Sequence, residues 1–203
     1  MVRHNIRVFA FTIIGLAFFV YAIIFLITQN LESIDFQKAL SHISTTISIN
    51  IIIWMIFISW AWKWKIFYSW LVQTPNLSGN WKGKIKSNWN EGKTKSIPTE
   101  ITIKQDFFNI SVRIKTGESL SHSISSSFNI DKNSGVQQLF YSYLNTPKAG
   151  IRERSAIHYG STLLNFDGFK VSKMTGEYWT SRETTGEIEL KRENLRKRNK
   201  NVA

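Results

Sequence analysis

The chain has 203 residues, a formal net charge of +12 at pH 7 and no cysteine. The lack of cysteine excludes disulfides, thiolate catalysis and zinc sites with thiolate ligands, and it fits a reducing cytoplasm. Histidine occurs at four positions, and the two in the second half of the chain, His122 and His158, have no partner at metal-ligand spacing. We therefore predict no metal site and no cofactor.

Two uncharged apolar runs, residues 8–27 and 43–62, stand near the start of the chain. Each run has about 20 residues, which at roughly 1.5 Å rise per residue reach the thickness of a bilayer core, about 30 Å. The basic residues before the first run also resemble a secretory signal, but signal cores hold only roughly 7 to 15 residues. We therefore predict two membrane-spanning helices.

The positions of the lysines and arginines predict how the two spans are oriented. Arg3 and Arg7 precede the first span, and Lys63 and Lys65 follow the second. By the positive-inside rule, both termini and everything after the second span lie in the cytoplasm. Aromatic residues crowd the inner end of the second span and predict a short interfacial helix over residues 63–72.

Composition divides the chain into three parts, which we predict to be a membrane region (1–75), one β domain (76–192) and a basic tail (193–203). The tail is expected to lie near anionic lipid headgroups. It has none of the signatures of helix-turn-helix, zinc-finger or RNA-binding proteins, so we expect no DNA or RNA polymer as a partner.

The middle part alternates with a period of two, as strands with one buried face do. Trp81, Gly83 and Ile85, for example, alternate with three lysines. The alternation predicts about eight strands, near residues 80–88, 100–104, 108–115, 120–130, 136–144, 152–166, 173–181 and 184–192. In the serine-rich fourth strand, the even-numbered residues from Leu120 to Ile130 are predicted to share one face.

Eight short strands without a helical period predict a compact, antiparallel, up-and-down β-barrel. Closure of a barrel removes the exposed edges of a sheet and leaves room for one small ligand near the mouth. A β-sandwich of the immunoglobulin type is the alternative, although the cysteine pair of that fold is missing.

Several residues of the β domain have the chemistry that binds nucleotides, whereas no pattern supports catalysis, and we predict that the protein is not an enzyme. Bases stack on aromatic rings, phosphates bind guanidinium groups, and amides or hydroxyls read base edges. Tyrosines of the core and solvated arginines would give the same pattern. The candidate binding residues are Tyr143, Asn145, Arg152, Arg154, His158, Tyr178, Thr180 and Arg182.

The order of these features resembles a known family of membrane effectors. Two apolar spans come first, and the β domain then carries, in order, Leu77, Gly79, Trp81, Gly83, Tyr141, Tyr143, Asn145, Pro147, Gly176, Tyr178, Thr180, Arg182, Gly186, Ile188 and Leu190. This arrangement resembles the two-transmembrane, β-strand-rich effectors of cyclic-oligonucleotide-based antiphage signalling (CBASS).

The resemblance implies a lipocalin-like barrel that binds a cyclic dinucleotide made by a partner nucleotidyltransferase after phage infection. In that family, ligand binding is thought to make the membrane hairpins assemble as a homo-oligomer in the bilayer. The assembly then breaches the bacterial inner membrane and the infected cell dies. From the chemistry of the residues, and not from a pattern of the family, we expect bases to stack on Tyr143 or Tyr178 in this chain while Arg182, helped by Arg152 or Arg154, meets the phosphates.

Polar residues in the second span predict where the helices assemble. Thr46 and Asn50 lie one turn apart on one face, and hydrogen bonds between membrane helices are typically worth roughly 0.6 to 2 kcal/mol. Asn50 is expected to bond its own backbone less readily than the hydroxyl residues do. Two other functions stay open: a membrane-anchored carrier of a lipid or other apolar molecule, and a non-catalytic membrane adaptor.

Overall fold

The computed structural model describes residues 6–28, 36–90, 93–131 and 133–193. Contacts divide the chain into a helical unit, His4–Gln73, and a β unit that begins at Thr74. Arg3 and the basic tail after Glu193 lie outside the described residues.

The helical unit contains two antiparallel helices, α1 (Ile6–Thr28) and α2 (Phe36–Ser59). The ring of Phe9, near the start of α1, lies 4.9 Å from the ring of Trp54, near the end of α2. This edge-to-face contact joins the two helices as a hairpin.

Both helices are long and apolar enough to cross a membrane. The segments Arg7–Thr28 and Leu40–Ser59 have mean hydropathies of 2.7 and 1.6. Apolar side chains such as Phe11 and Ile27 are 74% and 79% exposed within the chain. Length and composition therefore fit the two predicted spans.

The segment after α2 differs from the predicted interfacial helix. The helix α2 ends at Ser59, before the predicted end of the span, and two 3-10 turns follow at Ala61–Lys63 and Lys65–Phe67. The tryptophans at 60, 62 and 64 recur at every second residue. The 3-10 turns leave Trp60 and Trp64 exposed and bury Trp62.

The β unit is a closed barrel in which each strand pairs antiparallel with the next and the last pairs with the first. This confirms the predicted up-and-down barrel and excludes the sandwich. The strands are β1 (Gly79–Asn90), β2 (Lys93–Gln105), β3 (Ile110–Thr116), β4 (Ser119–Asp131), β5 (Val136–Pro147), β6 (His158–Asn165), β7 (Lys173–Thr180) and β8 (Thr185–Arg192).

The β5–β6 connection replaces the first part of the strand predicted at 152–166. Residues Ala149–Ile151 form a 3-10 turn, and the N–H of Ser155 donates to the carbonyl of Ile151 at 2.9 Å. This turn satisfies backbone groups locally, so β6 begins only at His158.

Contrary to the prediction, the serine-rich strand β4 does not keep its even-numbered residues on one face, because it contains a β-bulge. The register shifts between Ser123 and Ser125, which leaves Ile124 60% exposed while Ser126 is buried. The hydroxyl of Ser123 accepts the N–H of Val112 at 2.9 Å and so supports the shift. Serines give little apolar contrast between faces, so the alternation could not locate the bulge.

Large side chains fill the end of the barrel at which β1 begins. Trp81 is fully buried, and its indole N–H donates to the carbonyl of Leu77 at 3.0 Å. Arg192 pairs with Trp81 across β8 and β1, and its guanidinium lies over the Trp81 ring, 5.0 Å from the ring centre. Around this tryptophan the core contains Ile101, Ile103, Leu139, Leu164, Met174 and Leu190.

Candidate ligand-binding cavity

A cavity of about 290 Å³ lies at the other end of the barrel. Residues of the β1–β2, β3–β4, β5–β6 and β7–β8 hairpins line it, so its mouth is opposite the start of β1. The inward positions here combine tyrosines and isoleucines with small polar side chains. Those side chains include Ser87, Ser121, Ser155 and Thr162.

Two tyrosines line the cavity, and each lies over a glycine of the neighbouring strand. Tyr143 pairs with Gly160, and Tyr178 pairs with Gly186. A Cβ atom at Gly160 would lie 2.5 Å from the Tyr143 ring, and one at Gly186 would lie 2.6 Å from the Tyr178 ring. The two glycines therefore provide the space in which the rings lie.

Both phenols are neutral groups in this environment. Burial raises the pKa of Tyr143 and of Tyr178 above the usual value for tyrosine. The hydroxyl of Tyr178 donates to the hydroxyl oxygen of Ser87 at 2.6 Å, which fixes that ring against β1. The cavity thus contains two oriented, uncharged aromatic rings.

Asn145 and His158 form a pair across β5 and β6. The Nδ1 atom of His158 lies 2.8 Å from the carbonyl of Ala156, and the Nε2 atom lies 3.2 Å from the amide nitrogen of Asn145. Burial lowers the pKa of His158, and the positive charge of Arg182 lowers it further. The hydrogen bond to the carbonyl of Ala156 raises the pKa, but by less than burial lowers it. A neutral ring protonated on Nδ1 satisfies both contacts, because Nε2 then accepts from the amide.

This pairing directs a hydrogen-bond acceptor of Asn145 away from His158. The side-chain oxygen of Asn145 is buried and has no hydrogen-bond partner among the described residues. A buried acceptor without a partner costs roughly 1 to 3 kcal/mol, so a donor on a bound molecule would be favoured here.

Arg182 supplies positive charge to the cavity from the β7–β8 turn. Its Nη1 atom donates to the hydroxyl of Ser155 at 3.1 Å. The backbone N–H of Arg182 donates to the Thr180 hydroxyl, which lies 2.6 Å from the hydroxyl of Thr184. These bonds hold the turn and place a guanidinium beside the two tyrosines.

Six of the eight predicted binding residues line the cavity, and the two others do not. Arg152 and Arg154 lie in the β5–β6 connection, where Arg152 Nε donates to the carbonyl of Pro147 at 3.3 Å. Arg154 Nη2 lies 2.7 Å from Glu118 Oε1. The residues that line the cavity are Tyr143, Asn145, His158, Tyr178, Thr180 and Arg182.

The small polar residues of the cavity were not predicted from the sequence. Ser87 continues the inward-facing series of Trp81, Gly83 and Ile85, so the alternation of β1 could have identified it. Thr162 occupies an inward position of β6 between Gly160 and Leu164 in the same way. The alternation predicts that Ser87 and Thr162 face the inside of the barrel. It does not predict that a cavity lies beside them.

A comparison with known families identifies this barrel. The sequence model of a family described as "Cap15, cyclic dinucleotide receptor domain" matches residues 72–192, which include all eight strands. The chain belongs to the Cap15 family. This membership confirms the resemblance to CBASS effectors that the sequence indicated.

Relatives named CD-NTase-associated protein 15 agree with the membership in Cap15. One from Staphylococcus schleiferi is 31% identical over 150 residues, which are 74% of this chain and 78% of the relative. One from Escherichia albertii is 28% identical over 190 residues, which are 88% of this chain and 93% of the relative. The second alignment therefore extends well beyond the barrel of this Cap15 chain.

Proposed function

We propose that this Cap15 protein is an antiphage effector whose barrel cavity binds a cyclic dinucleotide made by a partner nucleotidyltransferase. The bound ligand makes the helical hairpins of several copies assemble, and the assembly disrupts the bacterial inner membrane and kills the infected cell. The observation that carries the proposal is the grouping of Arg182 with Tyr143, Tyr178 and Asn145 in one cavity of the receptor domain.

Each group of the cavity fits one part of a cyclic dinucleotide. Stacking of a base on Tyr143 or Tyr178 is typically worth about 1 to 3 kcal/mol. The guanidinium of Arg182 binds a phosphate through charge-assisted hydrogen bonds. The unpartnered oxygen of Asn145 accepts a hydrogen bond from an N–H on a base edge.

The size of the cavity favours a ligand that is only partly enclosed. Its volume of about 290 Å³ lies at the lower end of the usual range for small-molecule pockets, roughly 300 to 1,000 Å³. One base and its neighbouring phosphate would fill it, and the rest of the ligand would remain at the mouth.

Two polar groups in the cavity favour a nucleotide over a lipid or another apolar ligand. An apolar molecule would leave the oxygen of Asn145 without a partner and would remove water from the guanidinium of Arg182. Each of these groups would then lose hydrogen bonds without replacement, which disfavours the carrier function.

The sequence and the helices support a cytoplasmic barrel on an inner-membrane anchor. The helices α1 and α2 have the length of membrane spans, and the basic residues Arg3, Arg7, Lys63 and Lys65 flank them on one side. The positive-inside rule then places both termini and the barrel in the cytoplasm, where the partner enzyme would release its product.

We expect assembly in the membrane to involve Thr46 and Asn50 of α2. The hydroxyl of Thr46 donates to the carbonyl of His42 at 2.7 Å. The amide of Asn50 donates to the carbonyl of Thr46 at 2.9 Å, so Asn50 bonds its own helix more than the sequence suggested. Its side-chain oxygen has no partner among the described residues and is buried on the side of α2 that faces Ile13 and Ala17 of α1, so a donor from another copy would reach it only if the two helices separate on assembly.

Dye release from vesicles tests the whole function. The full-length chain is reconstituted into dye-loaded vesicles of phosphatidylethanolamine, phosphatidylglycerol and cardiolipin. Cyclic dinucleotides of adenine, guanine and uracil are then added in all base pairings. We expect one or a few of them to release the dye, and mononucleotides to release none.

Variants of two arginines connect the release to the cavity. Arg182→Gln should leave the vesicles intact, whereas Arg113→Gln, on the outer face of β3, should behave as the wild type. Dye release that does not depend on a cyclic dinucleotide would contradict the proposal, as would equal release by Arg182→Gln.

A further inference from the structure

The charge that lines the cavity does not match a ligand with two phosphates. Among lining residues whose side chains the structure describes, Arg182 is the one with positive charge and Glu118 the one with negative charge. A cyclic dinucleotide has two negative charges, so Arg182 leaves one phosphate uncompensated. The carboxylate of Glu118 would in addition repel that phosphate.

A second guanidinium lies at the mouth, where Glu118 binds it. Glu118 belongs to the β3–β4 turn and Arg154 to the β5–β6 connection, and Arg154 Nη2 lies 2.7 Å from Glu118 Oε1. Their side chains are 47% and 51% exposed, so the pair is accessible from solvent. The two hairpins thus meet through an ion pair at the entrance of the cavity.

The backbone holds the two hairpins together independently of this ion pair. The N–H of Lys148 donates to the carbonyl of Glu118 at 2.9 Å. Within the β3–β4 turn, the N–H of Ser119 donates to the hydroxyl of Thr116 at 3.0 Å. The Glu118 side chain can therefore release Arg154 without movement of either hairpin.

We propose that Glu118 is a built-in competitor for an anion subsite at Arg154. Its carboxylate binds the Arg154 guanidinium in place of the ligand's second phosphate, and the phosphate displaces it on binding. Carboxylate and phosphate bind the same fork of N–H donors, so one can replace the other. This inference rests on the proposed function, and it identifies the subsite of the second phosphate.

The energies allow this exchange. An exposed ion pair typically contributes about 0 to 1 kcal/mol, so its loss costs little. A phosphate held between Arg154 and the cavity keeps the guanidinium paired, and the released Glu118 is hydrated. Glu118 therefore weakens binding of an anionic ligand in two ways. The ligand must break the ion pair between Glu118 and Arg154, and the carboxylate of Glu118 repels the phosphate.

A double-mutant cycle on the full-length chain in detergent tests the subsite. Dissociation constants are measured for the wild type, Glu118→Gln, Arg154→Gln and the double variant, with each cyclic dinucleotide of the panel described above. Glu118→Gln should tighten binding about threefold to tenfold, the size of one exposed charge interaction. The control is Glu187→Gln, which removes the same charge from an exposed pair with Lys86 on the outside of the barrel.

The four proteins give distinct outcomes. The inference requires that Glu118→Gln binds more tightly than both the wild type and Glu187→Gln, and that this gain is larger than the gain from the same substitution in the Arg154→Gln background. Equal or weaker binding by a folded Glu118→Gln overturns it, as does a gain that is equally large without Arg154. If neither the wild type nor Glu118→Gln binds any member of the panel, the proposed function fails and the subsite fails with it.

Discussion

At the scale of single residues, the positions of the cavity tyrosines depend on the residues opposite them. The base-stacking chemistry of their rings made Tyr143 and Tyr178 candidate site residues, and both line the cavity. The glycines beneath their rings, Gly160 and Gly186, could not be predicted. A glycine becomes significant only once the register of the strands places it opposite a ring, and the sequence alone does not specify that register.

Replacement of Gly160 by alanine should displace the ring of Tyr143. The new Cβ atom would lie 2.5 Å from the ring, and overpacking of this kind typically costs about 1 to 3 kcal/mol. We expect a lower free energy of unfolding and weaker binding of the cyclic dinucleotide, measured by denaturant unfolding and titration. Gly150→Ala is the control, because its Cβ would meet no atom within 4 Å. Equal effects of the two variants would contradict this role of Gly160.

The neutral state of His158 predicts a dependence of stability on pH. Burial, with Arg182 nearby, lowers the pKa of His158 in the folded chain, so the unfolded chain binds more protons as the pH falls. The contribution of the neutral His158 to the free energy of unfolding is complete above the ordinary histidine pKa, about 6.5, and is lost as the pH falls below that value. Between pH 7.5 and 5.5, the melting temperature of the wild type should fall more than that of His158→Gln. Parallel curves would show that His158 does not titrate in this way.

At the scale of elements, the sequence predicts which segments are strands better than where they end. The segment predicted as a strand at 152–166 alternates correctly from residue 158 onward, but a 3-10 turn forms at Ala149–Ile151. Arg152, Glu153 and Arg154 are three consecutive exposed charged residues, and none of them lines the cavity. The sequence selected both arginines for their phosphate-binding chemistry, and the structure places them in contact with Pro147 and Glu118 instead.

In α2, Asn50→Leu should weaken assembly without a change in ligand affinity. Leucine removes the unpartnered oxygen, so the proposed hydrogen bond from another copy, typically worth roughly 0.6 to 2 kcal/mol, could not form. We expect reduced dye release from vesicles and an unchanged dissociation constant in detergent. Ser48→Leu, at an exposed position of the same helix whose hydroxyl bonds Ser44, is the control. Unchanged release by Asn50→Leu would remove Asn50 from the assembly interface.

At the scale of the whole molecule, the number and spacing of the strands favoured a closed barrel over a sandwich, but they did not predict the position of the cavity. Each strand has inward positions along its whole length, and only the sizes of residues from all eight strands decide which end stays open. Trp81 fills one end, and small residues such as Ser87 and Thr162 leave space at the other. This difference depends on packing between strands that are distant in sequence.

The central claim is that this cavity binds a cyclic dinucleotide, and thermal unfolding of the full-length chain in detergent tests it most directly. Cyclic dinucleotides of adenine, guanine and uracil are added in all pairings to the wild type and to Arg182→Gln. A ligand at about 100 times its dissociation constant adds roughly 2.7 kcal/mol, which corresponds to about 5 to 10 °C for a domain of this size. We predict such a shift for one or a few members of the panel and its loss in Arg182→Gln. A folded wild type that no member stabilises, or an equal shift in Arg182→Gln, would contradict the account.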